Sequence, residues 1–464
     1  MSKFNAGPAV HLLISQLADS VGLNSSSILS VDYSPPVDAD IALRIRPGER
    51  VPDLKGKYVV SSEILGVFVN VRLSADFVDL FDKARAEDSP RRRVAIEHTS
   101  LVPVYPINIA TLRSSIIGEW YRRCFELQGN DAIAHHWVQE TARQMDLVES
   151  ELHICEPDDH FDHTVGRRFA SRLLNLPEER FTQLFPFAYE VRQNQNPLER
   201  PLTRNQAVDA VTKSWRETFG RFEIRCPQFD SDENVLAAFN DERLTLESDP
   251  DAILTRGLLQ GSGNNEKRLS YFERTILYYC FLLRNSDLAT SIVPIQQMAL
   301  CEAAAAAAVA MSDRTSDSLQ IIGYGPVFID NELDRIRDLR FHSADAYLNE
   351  GEPSDDLIPK RARAMRERVL RSRPQTPIHL DTGSWHRERG RTFTGTQHLG
   401  LPSVRAILLE DELDTLFEGA IATGDFARIQ RWCDEASQLL SRAEASAELP
   451  NASRLRHSVS ELGA

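Results

Sequence analysis

The segment HICEPDDHFDH at residues 153–163 sets His160 and His163 in an HxxH spacing among acids, an arrangement that could hold a metal ion. A structural zinc site takes four thiolate or imidazole ligands, and Cys155 is the only thiol nearby, so the plainer reading is a solvated acidic insert and no metal is expected. The pair His135-His136 reads as packing or a surface pair rather than as ligands. A third group is basic: KRARAMRERVLRSR (360–373) puts seven positive charges on one predicted helix, among them Lys360, Arg361, Arg363 and Arg366. Like charges repel, so a polyanion such as tRNA would relieve them; a solvated face balanced by the acidic remainder would do so too. GxGxxG, GxxxxGK[ST] and GxSxG are all absent, which leaves no common phosphate loop or esterase elbow.

These groups sit in a chain of 464 residues, long enough for about two to four domains. Apolar residues make up 42% and charged residues 26%, which excludes wholesale disorder. A net charge of −15 argues against nonspecific coating of nucleic acid but leaves room for a local basic patch. No apolar run reaches the length of a membrane span, and the first residues lack a secretory signal. Six scattered cysteines with no CxxC pair read as reduced and mostly buried. A cytoplasmic protein is expected.

The elements that must position any chemistry follow from periodicity. AVHLLISQLAD (9–19) has helical spacing with Gly22 as a stop, and LGVFVNVRL (65–73) alternates as a strand, so residues 1–85 form a small α+β unit. KARAEDSPRRR (83–93) is a linker. VAIEHTSLVPVYP (94–106) is strand-like and feeds a helix at 107–129, the opening of many α/β sheets. Apolar runs at FEIRC (222–226), SIVPI (291–295) and LQIIGYGPVFI (319–329) alternate with helices at 274–283 and 299–311, which predicts a parallel sheet in an α/β domain over 90–350. The six-alanine run at 303–308 reflects helix propensity and close packing. The remainder, 355–464, is the basic helix, a Gly- and Thr-rich loop and a helical tail that frays after Glu448.

Several segments, in order, resemble arginyl-tRNA synthetases. TSLVPVYPINIATLRSSIIGEW (99–120) is similar to the opening of their catalytic domain, with Leu112, Arg113, Ser114, Ile116, Ile117 and Gly118 matching. KSWRETFGRFEIRCPQFDSDENV (213–235), LSYFERTILYY (269–279) and SIVPIQQMAL (291–300) resemble later segments, and LGVFVNVRLSADF (65–77) resembles a strand of their extra tRNA-binding domain. The resemblance covers roughly residues 1–345 and implies a class I synthetase-like, Rossmann-type α/β fold with a small α+β N-terminal domain and a helical C-terminal region.

It also implies what has changed. The family's HxGH motif reads Asn108-Ile109-Ala110-Thr111 here, no lysine stands in LRFHSADAYL (339–348) where its KMSKS-type loop should fall, and its GDWG segment is missing from IAHHWVQETARQ (133–144). A positioned donor to transition-state charge is worth about 2.7–4 kcal/mol, so ATP-driven aminoacylation is not expected. The arginine side of the site is kept better: Asp232 stands at the guanidinium-binding acid with Glu233 beside it, Tyr271 at the family's tyrosine and Gln297 at a glutamine of its QQ pair. Against this, the family's second acid is Thr275 and the asparagine for the α-amino end is Val102, and Glu273 substitutes only if the helix phase shifts. Asp232 and Glu233 could equally just start a helix, as N-terminal acids do.

Arginine and tRNA without ATP suit an aminoacyl-tRNA-dependent amide-forming transferase. The pattern resembles a fungal group of arginine-containing cyclodipeptide synthases, which would join arginine from arginyl-tRNA to a residue from a second aminoacyl-tRNA without a cofactor. Asn108 and Thr111 would stabilise an oxyanion, and His98 or Glu97 would act as base. Bacterial cyclodipeptide synthases use a serine nucleophile, which here could be Ser100, Ser114 or Ser115. The competing expectation is a catalytically inactive arginyl-tRNA synthetase paralogue that binds tRNA, arginine or a protein.

Overall fold

The computed structural model describes residues 6–33, 35, 39–77, 79–81, 91–103, 105–140, 204–239, 271–334, 342–349, 357–380, 402–423, 426–446 and 453–463. The HxxH segment at 153–163 lies outside them. The chain divides into two compact units, Met1–Arg91 with Leu127–Gly129 and Arg389–Ala464, and Arg92–Glu126 with Asn130–Glu388.

In the first unit α1 (Pro8–Val21) ends as its sequence predicts, with Gly22 at φ 72°, the left-handed cap that favours glycine. Strands β1 (Ile28–Asp32), β2 (Ile41–Ile45), β3 (Val59–Leu65) and β4 (Phe68–Leu73) form an antiparallel sheet in the order β1-β2-β4-β3. The apolar face of α1, including Leu13, Ile14 and Leu17, packs with Ile41, Leu43, Val69 and Val71 from the sheet.

The second unit is built on a parallel sheet, as the alternation of apolar runs and helical patterns predicts. Its strands are β5 (Arg93–Leu101), β6 (Asp131–Val138), β7 (Gln228–Ser231), β8 (Leu288–Pro294) and β9 (Leu319–Tyr324), in the order β7-β6-β5-β8-β9. The interleaved helices are α2 (Ile109–Leu127), α3 (Arg204–Arg221), α4 (Asp232–Ala237), α5 (Tyr271–Asn285) and α6 (Met298–Met311). The chain winds outward from β5 to β7 and then returns to the other side of β5, so the order reverses between β5 and β8. Ligands of such sheets bind at the carboxyl ends of the strands beside this point.

Two apolar runs differ from expectation. FEIRC (222–226) forms no strand: Phe222 and Ile224 are buried just beyond α3, Glu223 between them has φ 54°, and the strand follows as β7. LQIIGYGPVFI is broken at Gly325-Pro326 into β9 and β10 (Val327–Ile329). There the Gly325 backbone comes so close to that of Gln375 that a Cβ would stand 2.4 Å from its carbonyl oxygen. β10 pairs with β11 (Glu332–Leu333) and, in parallel, with β12 (Ile378–Leu380). Arg113 on α2 binds this region together. Its buried guanidinium donates to the carbonyls of Gly325 (2.8 Å), Pro374 (2.6 Å) and Thr376 (2.8 Å), and burial lowers its pKa to about 10. Helices α7 (Ala344–Asn349) and α8 (Leu357–Leu370) complete the unit.

The C-terminal helices α9 (Pro402–Thr423), α10 (Ala427–Ser446) and α11 (Ser453–Gly463) belong with the first unit. The last is a correction, because the tail beyond Glu448 re-forms a helix rather than fraying; its Leu455 is fully buried. Leu408 joins the N-terminal core. Asp411 supplies the cap that α1 lacks, accepting from the amides of Ala9 (2.7 Å) and Val10 (3.3 Å) and from the hydroxyl of Tyr33 (2.9 Å). Among the described residues no helix is long and apolar enough to cross a membrane.

Candidate active site

At the reversal point Glu97 on β5 lies opposite Ser291 on β8. Its carboxylate accepts from the Ser291 hydroxyl and from that of Ser100, three residues further along β5, at 2.5 Å. Ser291 continues the chain to the Tyr279 hydroxyl at 3.1 Å. Burial pushes the Glu97 pKa up, and the two hydroxyls partly offset it. Ser100 is half-buried, whereas Ser114 and Ser115 are buried on α2 and both donate to the Thr111 carbonyl (2.8 and 3.0 Å). Of the three candidate serines, Ser100 is thus the one in contact with a carboxylate and with partial access to solvent.

A second cluster forms at the ends of β6 and β7. Trp137, on β6, donates its indole N–H to Asp232 Oδ1 at 2.8 Å, and its ring stacks against Tyr278 (4.8 Å between centroids) and Tyr271 (6.2 Å). Asp232 is buried at the start of α4, a helix that Ser231 caps, its hydroxyl accepting from the Asn234 amide at 3.0 Å. The Tyr271 hydroxyl donates to Gln297 Oε1 at 3.4 Å. Asp232 and Tyr271, far apart in sequence, therefore meet at Trp137, and Gln297 is joined to them through the Tyr271 hydroxyl. Glu233 does not join them: one residue further round the helix, it is exposed. Thr275 is buried and donates to the Tyr271 carbonyl at 2.7 Å.

Sequence reasoning missed Trp137 and Arg274. The guanidinium of Arg274, on the first turn of α5, lies 3.3 Å from Asp232 Oδ2 and 5.7 Å from the centroid of the Trp137 ring. The signal was present in FERT (272–275), where an arginine immediately precedes the residue that replaces the second acid.

Asn108 and Thr111 sit at the amino end of α2. Asn108 is the cap: its side-chain oxygen accepts from the Thr111 amide at 3.0 Å, and its side-chain amide donates to Asp334 at 3.2 Å. Asp334 is buried and also accepts from the amides of Ala110 (3.1 Å) and His342 (2.8 Å). Residue 108 forms a β-bridge with Ser343, and the Ile109 amide donates to the His342 carbonyl at 3.0 Å. The start of α2 and the segment before α7 are therefore joined through backbone and through Asp334.

His98 lies elsewhere. The β5–β6 register slips between Glu97 and Thr99, so His98 is the extra residue of a bulge. It is fully buried, edge-on to Phe219 at 5.9 Å, beneath Gly118, where a Cβ would stand 2.2 Å from its own. Burial lowers its pKa to about 4. His136, its ring tilted against that of Trp215 at 4.7 Å between centroids, is also buried, and burial holds its pKa well below the ordinary value. Its neighbour His135 is buried on the Asp230 carboxylate at 2.8 Å, which Tyr278 also reaches at 2.9 Å. The double histidine is thus packing on one side and a hydrogen-bonded pair on the other. Among the described residues no cluster of three or more His, Cys, Asp or Glu suits a metal ion.

On α8 the basic residues divide by face. Lys360 and Arg363 are exposed, the latter 3.2 Å from Glu367. Arg361 donates to the Leu348 carbonyl at 2.6 Å, and Arg366 is buried and paired with Glu223.

No protein-family model matches the chain. Its sequence is similar to the arginine–tRNA ligase of Methanococcoides burtonii, 25% identical over 219 residues, 45% of this chain and 38% of that protein. It is 30% identical to the arginine–tRNA ligase of Saccharolobus solfataricus over 105 residues, 21% of this chain and 16% of that protein. The matched segments thus span well under half of these relatives. In structure it resembles Thermus thermophilus arginyl-tRNA synthetase, with a TM-score of 0.55 at 16% identity over 97% of this chain and 96% of that one. Plasmodium falciparum arginyl-tRNA synthetase gives 0.56 at 11% identity over 98% and 94%. The chain has an arginyl-tRNA synthetase-like fold and is related in sequence to the arginine–tRNA ligases.

Proposed function

We propose that the chain is an aminoacyl-tRNA-dependent cyclodipeptide synthase that takes arginine from arginyl-tRNA and needs no ATP. The observation that carries this reading is the contrast between the two sides of the site. The residues at the HxGH position are Asn108 and Thr111, with Asn108 engaged as a helix cap and by Asp334, whereas Asp232 and Tyr271 meet at Trp137 and Gln297 accepts from the Tyr271 hydroxyl.

An aminoacyl ester is already activated, so the chemistry needs positioning and proton handling. In this proposal Ser100 Oγ attacks the ester carbonyl of one aminoacyl-tRNA while Glu97 takes its proton. The C–O bond to the ribose breaks, and the departing tRNA hydroxyl recovers that proton. The α-amine of the second aminoacyl-tRNA then attacks the acyl-serine, forming the first amide, releasing Ser100 and giving dipeptidyl-tRNA. Attack of the terminal amine on the remaining ester closes the ring and frees the second tRNA. An α-amine with an ordinary pKa of about 7.7–8.0 is readily neutral for these steps. Lys360 and Arg363 are the exposed charges on α8 suited to the tRNA backbone.

The test is expression in a bacterial host and mass spectrometry of the culture, for the wild type and Asp232→Ala. The reading predicts a new arginine-containing cyclic dipeptide that the variant, still folded, fails to make. A folded wild type that binds arginine or tRNA but gives no product is instead a non-catalytic paralogue.

A further inference from the structure

A guanidinium site needs a carboxylate, a flat surface to stack on and shelter from water. All three are present around Asp232, and the chain fills them itself. Arg274 approaches Oδ2 at 3.3 Å and lies over Trp137, while the indole N–H holds Oδ1. We propose that Arg274 is a built-in occupant of the guanidinium site, a specificity residue that the arginine side chain of the substrate must displace from Asp232. The inference rests on Asp232 being the arginine-binding carboxylate.

Two features make Arg274 replaceable. Its contact is longer than the 2.7–2.9 Å usual for a charged N–H to a carboxylate, so a guanidinium set in fork geometry would bind Oδ2 more strongly. Arg274 retains some solvent exposure while Asp232 is buried, so a ligand can reach it from the outer side. Tyr271, which stacks on the same Trp137 ring, is half-buried, and its hydroxyl donates to the exposed Gln297. The exchange also explains selectivity. Asp232 is buried and paired with a guanidinium, so a ligand that brings a guanidinium replaces the charge it displaces. A neutral side chain of the same length would strand the carboxylate.

Titration calorimetry of the full-length chain with L-arginine tests this, with L-citrulline as the uncharged control. Arg274→Met is expected to bind L-arginine at least tenfold more tightly than wild type, to ignore citrulline, and to lose binding when Asp232→Asn is added. Arg274→Lys keeps a charge without the planar fork and serves if the methionine variant fails to fold; it too should bind more tightly than wild type. Folded variants that bind L-arginine no more tightly than wild type, or not at all, overturn the proposal. If the wild type nevertheless makes an arginine-containing product, only the displacement idea has failed. If no product forms and no variant binds arginine, the assignment of Asp232 has failed with it.

Discussion

Asn108 reaches Asp334, 226 residues further along the chain, with its side-chain amide 3.2 Å from a buried carboxylate oxygen. Because Asp334 also takes the amides of Ala110 and His342, one carboxylate fixes both the start of α2 and the segment before α7.

Removing Asn108 as a cap by Asn108→Ala should cost about 1 kcal/mol. Asp334→Ala leaves several buried donors unsatisfied and should cost about 3 kcal/mol or more. The two residues touch, so the double variant should fall short of the sum. Urea denaturation of the four proteins measures this; strict additivity would mean that the contact carries no energy.

Stability should also depend on the buried histidines. His98 is held neutral, with its pKa pushed from 6.5 down to about 4, and His136 is lowered in the same direction. The unfolded chain therefore binds protons first as the pH falls. The stabilisation is fully present above about pH 6.5 and is lost progressively toward pH 4, by about 3 kcal/mol for His98 alone. Denaturation midpoints between pH 7.5 and 4.5 should fall less steeply in His98→Asn than in wild type.

The faces of α8 give a paired prediction. Lys360→Ala with Arg363→Ala should leave stability within about 0.5 kcal/mol, weaken tRNA binding and flatten its salt dependence. Arg366→Ala should lower the melting temperature, because it breaks the pair with Glu223 and leaves the Phe222 carbonyl without its guanidinium donor. Filter binding at several salt concentrations, beside thermal melts, separates the two effects.

Ser100→Ala and Glu97→Gln should each lower product formation by about 10²–10⁴-fold with the fold retained. Single-turnover kinetics with charged tRNA measures the loss. A Ser100→Ala protein with full activity would remove Ser100 as the nucleophile.

Much of this was readable from residue order. The strand-then-helix pattern at 94–129 becomes β5 and α2, and the parallel sheet follows from the alternation of apolar runs and helices. Asp232 and Tyr271 open α4 and α5 and meet at Trp137, an adjacency that follows from the order of the elements, while their part in binding arginine belongs to the proposal. What stayed hidden depends on which way side chains face. Adjacent acids look equivalent in sequence, yet a turn of α4 buries Asp232 and exposes Glu233. A count of charges on α8 does not separate Lys360 from the buried Arg366. The bulge that turns His98 inward has no signature in the alternation of β5, and FEIRC has a strand's composition but not its backbone.

The central claim is that arginyl-tRNA, not ATP, supplies the activation. The most direct measurement is incubation of the purified chain with precharged arginyl-tRNA and a pool of other aminoacyl-tRNAs, without ATP, followed by mass spectrometry. The account predicts an arginine-containing cyclic dipeptide that disappears when ribonuclease is added first. Folded protein that gives no product from charged tRNA, or a product that forms only when free arginine and ATP are supplied, would contradict it.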